Sequence, residues 1–204
     1  MDWMFLNSPF NQPIGNWDVS NVTEMDGMFQ STPFNQPIGN WNVSNVTDMN
    51  YMFNNSAFNQ PIGNWDVSNV TDMRSIFHNA NSFNQPIGNW DVSSVTTMQL
   101  MFTGSAFNQP IGNWNVSSVT DMYYMFGATE FNQDISNWDV SSVTKMNVMF
   151  HNSPFNQPIG NWDVSSVNNM EMMFYGNQSF NQAIGNWDVS SVNNMRLMFR
   201  NSAN

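Results

Sequence analysis

One repeat governs this sequence. Phe10, Phe34, Phe58, Phe83, Phe107, Phe131, Phe155 and Phe180 fall 24 or 25 residues apart, and each opens a copy of F-N-Q-P-I-G-N-W-D-V-S. A tryptophan follows seven residues after each of them, from Trp17 to Trp187, and a second motif, M-x-x-M-F, recurs nine times between Met1 and Phe199, once with Ile76 in place of the second Met. Self-similarity at a fixed period of this size marks stacked arrays, in which a unit buries its apolar face only against its neighbours. Independent beads are excluded, because roughly 24 residues cannot bury a core of their own without a metal or a disulfide, and the chain has no cysteine. The sequence therefore predicts one array over residues 1–204, eight coils with partial coils at both ends. No cap is visible, as the repeat begins mid-coil at Met1 and stops at Asn204 before the next Phe. The expectation is a piece of a longer array, or ends that stack on other copies.

Within one coil, Phe34, Gln36 and Ile38 share a face of an extended segment, and Trp41 and Val43 share another beyond the Gly39-Asn40 bend. These predict one or two short strands. Val46-Thr47-Asp48 then leads into Met49, Met52 and Phe53 at helical spacing, with Thr47 placed as an N-cap and Asp48 in the first turn. This predicts a single helical turn. The layout is that of a leucine-rich-repeat-like β-solenoid with one or two short strands and one short helical turn per coil. Strand spacing of about 4.8 Å would make eight coils a rod or shallow arc on the order of 40 Å long.

The composition narrows the function. Hydrophobic residues at 41% and aromatics at 15% supply a core, whereas charged residues reach only 9%, against roughly 25% in an average domain. A formal charge of -11 repels phosphate backbones, so nucleic acid is excluded as a partner. No basic segment followed by an apolar stretch opens the chain, and no apolar run reaches the length of a membrane span.

The phase W-D-V-S-x-V-T-x-M-x-x-M-F-x-x-S/A-x-F-N-Q resembles the repeat of the BspA-like leucine-rich repeat surface proteins, a repeat type also found in mycoplasma surface lipoproteins. The resemblance covers essentially the whole chain. It implies an extracellular or cell-surface protein used in adhesion or other surface contacts, with no shared catalytic or cofactor site.

A near-exact repeat supplies the same residues in every coil, whereas an enzyme needs a unique constellation in one place. The two histidines, His78 and His151, lie three coils apart, on the order of 15 Å, too far to share a metal or a proton. No catalytic residue and no cofactor is expected. The sharpest repeated polar feature is the acid after Trp: Asp18, Asp66, Asp91, Asp139, Asp163 and Asp188, with Asn42 and Asn115 in two copies. Stacked carboxylates repel unless compensated, so the column could be a calcium site built of hard oxygen ligands. Alternatively each side chain closes an Asx-type turn at the Val-Ser corner. The two asparagines favour the turn, which Asn makes as well as Asp.

Asn35 and Asn59, with Asn40 and Asn64 at the bend, are expected to satisfy corner groups and one another coil by coil. The tryptophans could offer sugar-stacking faces, but their phasing with Val places them in the core. Asn21, Asn45 and Asn69 head N-x-S/T sequons on corners.

One column varies. Two residues after the first Met stand Trp3, Gly27, Tyr51, Ser75, Leu100, Tyr124, Val148, Met172 and Leu197. On a helical turn this position points roughly 200° from the first Met, so the apolar members Trp3, Tyr51, Leu100, Tyr124, Val148, Met172 and Leu197 form an outward stripe and an interaction surface. If the turn is not helical, the column is half-buried instead. Three functions remain open: a structural or adhesive surface rod or filament-forming scaffold contacting other proteins or copies of itself, an adhesin binding glycans or host matrix proteins, and a calcium-stabilised scaffold.

Overall fold

The computed structural model describes residues 1–202, and in it the chain winds into coils that stack in register. Seven single parallel bridges run through the stack, linking Glu24, Asp48, Asp72, Thr97, Asp121, Lys145, Asn169 and Asn194 in succession. Beyond these bridges no described residue is in a strand, and none is helical.

The M-x-x-M-F segment folds as consecutive tight turns rather than as a helix. Met52 N–H donates to Met49 C=O at 3.2 Å and Ser56 N–H to Phe53 C=O at 3.2 Å. The third residues of these turns, Tyr51 and Asn55, both have φ of +56°, the left-handed conformation that a type II turn places there. The remaining donors leave the coil: Met49, Tyr51, Phe53 and Asn55 N–H reach Asp72, Arg74, Ile76 and His78 C=O at 3.3, 2.9, 2.9 and 2.8 Å. A helix would have spent the Tyr51, Phe53 and Asn55 donors within its own coil and left them unable to hold the next. Thr47 is no N-cap; its hydroxyl donates to Thr23 C=O at 3.3 Å, and the Asp48 carboxylate accepts the Asn50 N–H at 2.8 Å.

The F-N-Q-P-I segment pairs through side chains, because its proline has no N–H to give a strand ladder. Asn59 N–H donates to Asn35 Oδ1 at 2.9 Å and Gln60 Nε2 to the same oxygen at 3.1 Å. Asn35 N–H meets Asn11 Oδ1 in the same way at 3.0 Å. The expected asparagine pairing is thus present at Asn35 and Asn59.

The core consists of aromatic columns. Phe29, Phe53, Phe77 and Phe102 stack at 5.7 to 5.8 Å between centroids. Phe34, Phe58, Phe83 and Phe107 stack alongside at 6.2 to 6.4 Å. The two columns touch within each coil, as in Phe53 and Phe58 at 4.1 Å. Trp41 through Trp162 are only 3 to 4% exposed, and each indole N–H donates to an isoleucine carbonyl of the preceding coil, Trp65 to Ile38 at 3.2 Å. Exposed apolar side chains from the core columns, Met4, Val189, Met195 and Phe199, lie in the first and last coils. The loops carrying the two length changes are exposed at Asn81-Ser82 and Gln178-Ser179.

Candidate interaction surface

The repeat acts as its own alignment, and the structure shows where its copies differ. Variation concentrates at four positions per coil: the bridge residue, the second and third residues of M-x-x-M-F, and the residue after its Phe. Contacts join these columns into one surface. Asp72 meets Arg74 at 2.7 Å, Tyr123 lies 6.0 Å from Tyr124, and Tyr124 sits edge-on to His151 at 5.5 Å. Every arginine and lysine of the chain lies in these columns, namely Arg74, Lys145, Arg196 and Arg200. So do both histidines and all four tyrosines, Tyr51, Tyr123, Tyr124 and Tyr175. Tyr and Arg are the side chains that dominate binding energy at protein interfaces.

The backbone marks the same surface. Two columns have positive φ in every coil. The second holds residues suited to that conformation, five Asn and two Gly among Asn7, Ser31, Asn55, Asn79, Gly104, Ala128, Asn152, Gly176 and Asn201. The first holds Trp3, Tyr51, Leu100, Tyr124, Val148 (φ +65°), Met172 and Leu197, with small residues only at Gly27 and Ser75. Bulky residues pay for a left-handed conformation, on the order of 1 kcal/mol each, and such strain collects at functional sites. Local backbone preference is obeyed in one column and overruled in its neighbour.

The predicted outward stripe is corrected by the turns. With no helix to set the phase, Tyr51, Leu100, Tyr124, Val148, Met172 and Leu197 are half-buried, Ser75 and Gly27 are buried, and Trp3 is 40% exposed. Trp3 lies over Gly27, where a Cβ would come within 2.2 Å of its ring, and its centroid is 6.1 Å from that of Tyr51.

Unsatisfied polar atoms fall on the same surface. Seven buried side-chain atoms among the described residues lack a hydrogen-bond partner: Asp26 Oδ1, Gln30 Oε1, Asn50 Oδ1, Arg74 Nε, Ser75 Oγ, Thr97 Oγ1 and Asn147 Oδ1. All seven belong to the four variable columns. Native folds leave few such groups, and a cluster of them requires an explanation.

The histidines are placed by their neighbours. His78 Nδ1 lies 3.0 Å from Asn54 Nδ2, and His151 stacks on Tyr175 at 5.2 Å with Nδ1 3.4 Å from the Tyr124 hydroxyl. Burial holds both imidazoles below their ordinary pKa.

The acid column after Trp closes Asx turns in all eight copies. The oxygens of Asp18, Asn42, Asp66, Asp91, Asn115, Asp139, Asp163 and Asp188 accept the N–H of the serine two residues further on at 3.0 to 3.2 Å. Serine hydroxyl and N–H bonds hold the carboxyls of Asp18, Asp91, Asp139 and Asp163 below the usual range. Among the described residues no three His, Cys, Asp or Glu side chains gather as a cation cage. An excess of calcium chelator is expected to leave the melting temperature unchanged, because stabilisation by a bound ion would disappear with the ion. A drop of several degrees on chelation would restore the calcium reading. Of the sequon residues, Asn45 and Asn69 donate their amides to Ser20 and Ser44 C=O at 2.7 and 2.8 Å.

A groove of about 850 Å³ runs along the Pro-Ile-Gly-Asn corner from Gly39 to Asn137. Its single carboxylate, Asp134, is engaged by the Ser136 N–H at 2.9 Å. Trp41 through Trp162 lie inside the core and offer no face to a sugar.

A family model for a Mycoplasma protein of unknown function, DUF285, matches in three overlapping spans, residues 1–110, 54–154 and 127–204. The chain belongs to this family. The DUF285 match spans the chain from the first coil to the last, in keeping with the repeat. No curated protein matches the sequence. No helix among the described residues is long and apolar enough to cross a membrane.

Asp26 gives this DUF285 surface a pH signature. Burial first, then repulsion from Asp48, Asp2 and Asp72, pushes its carboxyl up from 3.8 to about 6. Since the folded value is the higher one, its favourable contribution is complete below pH 3.8 and is lost as pH rises through about 6. The melting temperature is expected to decline between about pH 4.5 and 7 less steeply in Asp26→Asn than in the wild type. Equal slopes in the two proteins would contradict the assignment.

Proposed function

We propose that this DUF285 chain is a non-enzymatic, extracellular structural or adhesive repeat protein that works by holding other proteins on its variable face. The observation that carries this reading is the confinement of every Arg, Lys, His and Tyr to one surface, while the Phe-Asn-Gln, Asn-Trp and Val-Ser corners repeat the same side chains in coil after coil. A stack needs sameness to pack and variety only where it recognises something. The resemblance to BspA-like leucine-rich repeats supports a place on the cell surface, and the parallel bridges support the β-solenoid class.

A photo-reactive amino acid at position 124, compared with one at Asn113 in the corner groove, tests the reading on cells displaying the protein. Crosslinks to a second protein are expected from position 124 and not from 113. Equal yields, or none from 124, would refute it. Leu100→Gly and Val148→Gly combined, with the photo-reactive residue kept at position 124, should abolish those crosslinks while the fold persists, because glycine accepts positive φ without strain.

A further inference from the structure

The variable face is not uniform along the stack, and its asymmetry restricts what can lie on it. Toward the C-terminal end its acids are matched, with Asp121 to Lys145 at 3.0 Å and Glu171 to Arg196 at 3.0 Å. Toward the N-terminal end they are not. Asp72 has Arg74 at 2.7 Å and Asp2 has the Met1 ammonium at 3.5 Å, but among the described residues the carboxylates of Glu24, Asp26 and Asp48 have no cation within ion-pair distance.

Unsatisfied atoms on the coils of Asp26 and Asp48 have the same sign of demand, and the unpartnered donor Arg74 Nε comes only in the coil after them. Asp26 Oδ1, Gln30 Oε1 and Asn50 Oδ1 can only accept hydrogen bonds. The orientation of Asn50 is fixed, since its Nδ2 already donates to Asp48 Oδ2 at 3.0 Å. Whatever completes these coils brings N–H donors and positive charge. Further along the stack the face turns apolar at Leu100, Tyr124 and Val148.

We propose that the occupant of this face is an extended cationic segment of another polypeptide. Its arginine or lysine side chains lie over Asp26 and Asp48, and its apolar residues continue onto Leu100, Tyr124 and Val148. The reading rests on the proposed protein-holding function and adds the partner's chemistry and direction. Five coil steps separate Asp26 from Val148, on the order of 24 Å, which an extended chain crosses in about seven or eight residues. A small amine cannot span that distance, and an acidic or phosphorylated segment would meet carboxylates already repelling one another.

The test is binding of two fluorescent twelve-residue peptides to the whole chain. One has arginines in its first half and leucine and alanine in its second; the other has glutamate in place of arginine. The arginine peptide is expected to bind and the glutamate peptide not to. Binding should weaken about tenfold in Asp26→Asn with Asp48→Asn, a pair that keeps the amide-compatible turn at 48. It should be unaffected in Asp163→Asn with Asp188→Asn, which removes the same charge from Asx turns elsewhere.

Equal weakening by both pairs would mean general attraction to a chain of charge -11 and would overturn the proposal. So would binding of the glutamate peptide, or failure of both peptides. If crosslinks still form at position 124 in that case, the protein-holding function survives with a different partner. Sedimentation showing a dimer that the glycine variants abolish would make the occupant a second copy, and would also overturn the cationic segment.

Discussion

Phe102→Ala is expected to destabilise the protein by about 3 to 5 kcal/mol, the usual cost of emptying a large aromatic site in a close-packed core. Phe102 is fully buried near the middle of the stack and touches rings on every side. Phe107 lies at 4.1 Å within its coil, Phe77 and Phe126 at 5.8 Å in the adjacent coils, and Trp114 at 6.4 Å. Neighbouring coils cannot collapse into the void without breaking the bonds that run from Phe102 N–H to Met125 C=O at 3.0 Å and from Phe77 N–H to Met101 C=O at 3.0 Å. A stack with only nearest-neighbour interfaces also transmits no support around such a defect. Thermal unfolding of the variant should therefore separate into two transitions, one for the coils before the defect and one for those after it. A single sharp transition displaced by less than about 1 kcal/mol would show that the columns are not the source of stability.

The second large effect concerns the corner glycine, and it depends on where in the stack the glycine sits. A Cβ at Gly88 would stand 2.6 Å from Pro110 C=O in the next coil, and the obstacle is backbone that cannot rotate away. At Gly185 nothing lies within 4 Å. Gly88→Ala should cost about 1 to 3 kcal/mol as an overpacked contact, whereas Gly185→Ala should be neutral or stabilise by about 0.5 kcal/mol through the unfolded chain. Chemical denaturation of the two variants measures the contrast, and equal effects would deny that coil approach sets the requirement. Ser136 occupies this column once, so a side chain there is survivable, and the corner groove is interrupted at that coil, ending at Asn137 and resuming from Ser136.

The period, the core columns and the pairing of asparagines were legible in the residues, because each follows from one-dimensional spacing and chemical type. The helical turn was misread for a physical reason. Met49, Met52 and Phe53 have helical spacing, but consecutive turns with positive φ at Tyr51 and Asn55 bring the same residues inward. The hint was present in the second positive-φ column, where Asn7, Asn55, Asn79, Asn152, Asn201, Gly104 and Gly176 suit a left-handed residue. The half-buried state of Leu100 and Tyr124 follows from that change of backbone and could not be read from periodicity.

Spacing also drew attention to a single variable column. Its neighbours Asp26, Arg74, Tyr123, His151 and Tyr175 were missed as part of the same surface. Sorting the rare residue types by position in the coil would have found them, since every Arg, Lys, His and Tyr falls in the four variable columns. The unpaired acceptors at Asp26 and Asn50 needed coordinates, because partnership is a property of geometry.

The bonds between coils have a consequence for how such a chain can change over generations. Each coil gives N–H groups from its turn segment to the next and receives the same set from the one before, as in Met73 to Thr97 and Met98 to Asp121. Loss of residues 98–121, one whole period, would join Thr97 to Met122 and present the following coil with the same donors, carbonyls and ring edges. Slippage between near-identical stretches of the gene can thus delete or duplicate a coil without asking the scaffold to be re-solved. What it alters is the order of side chains along the variable face, so a short array of interchangeable parts can be reshuffled into new surfaces at almost no structural penalty.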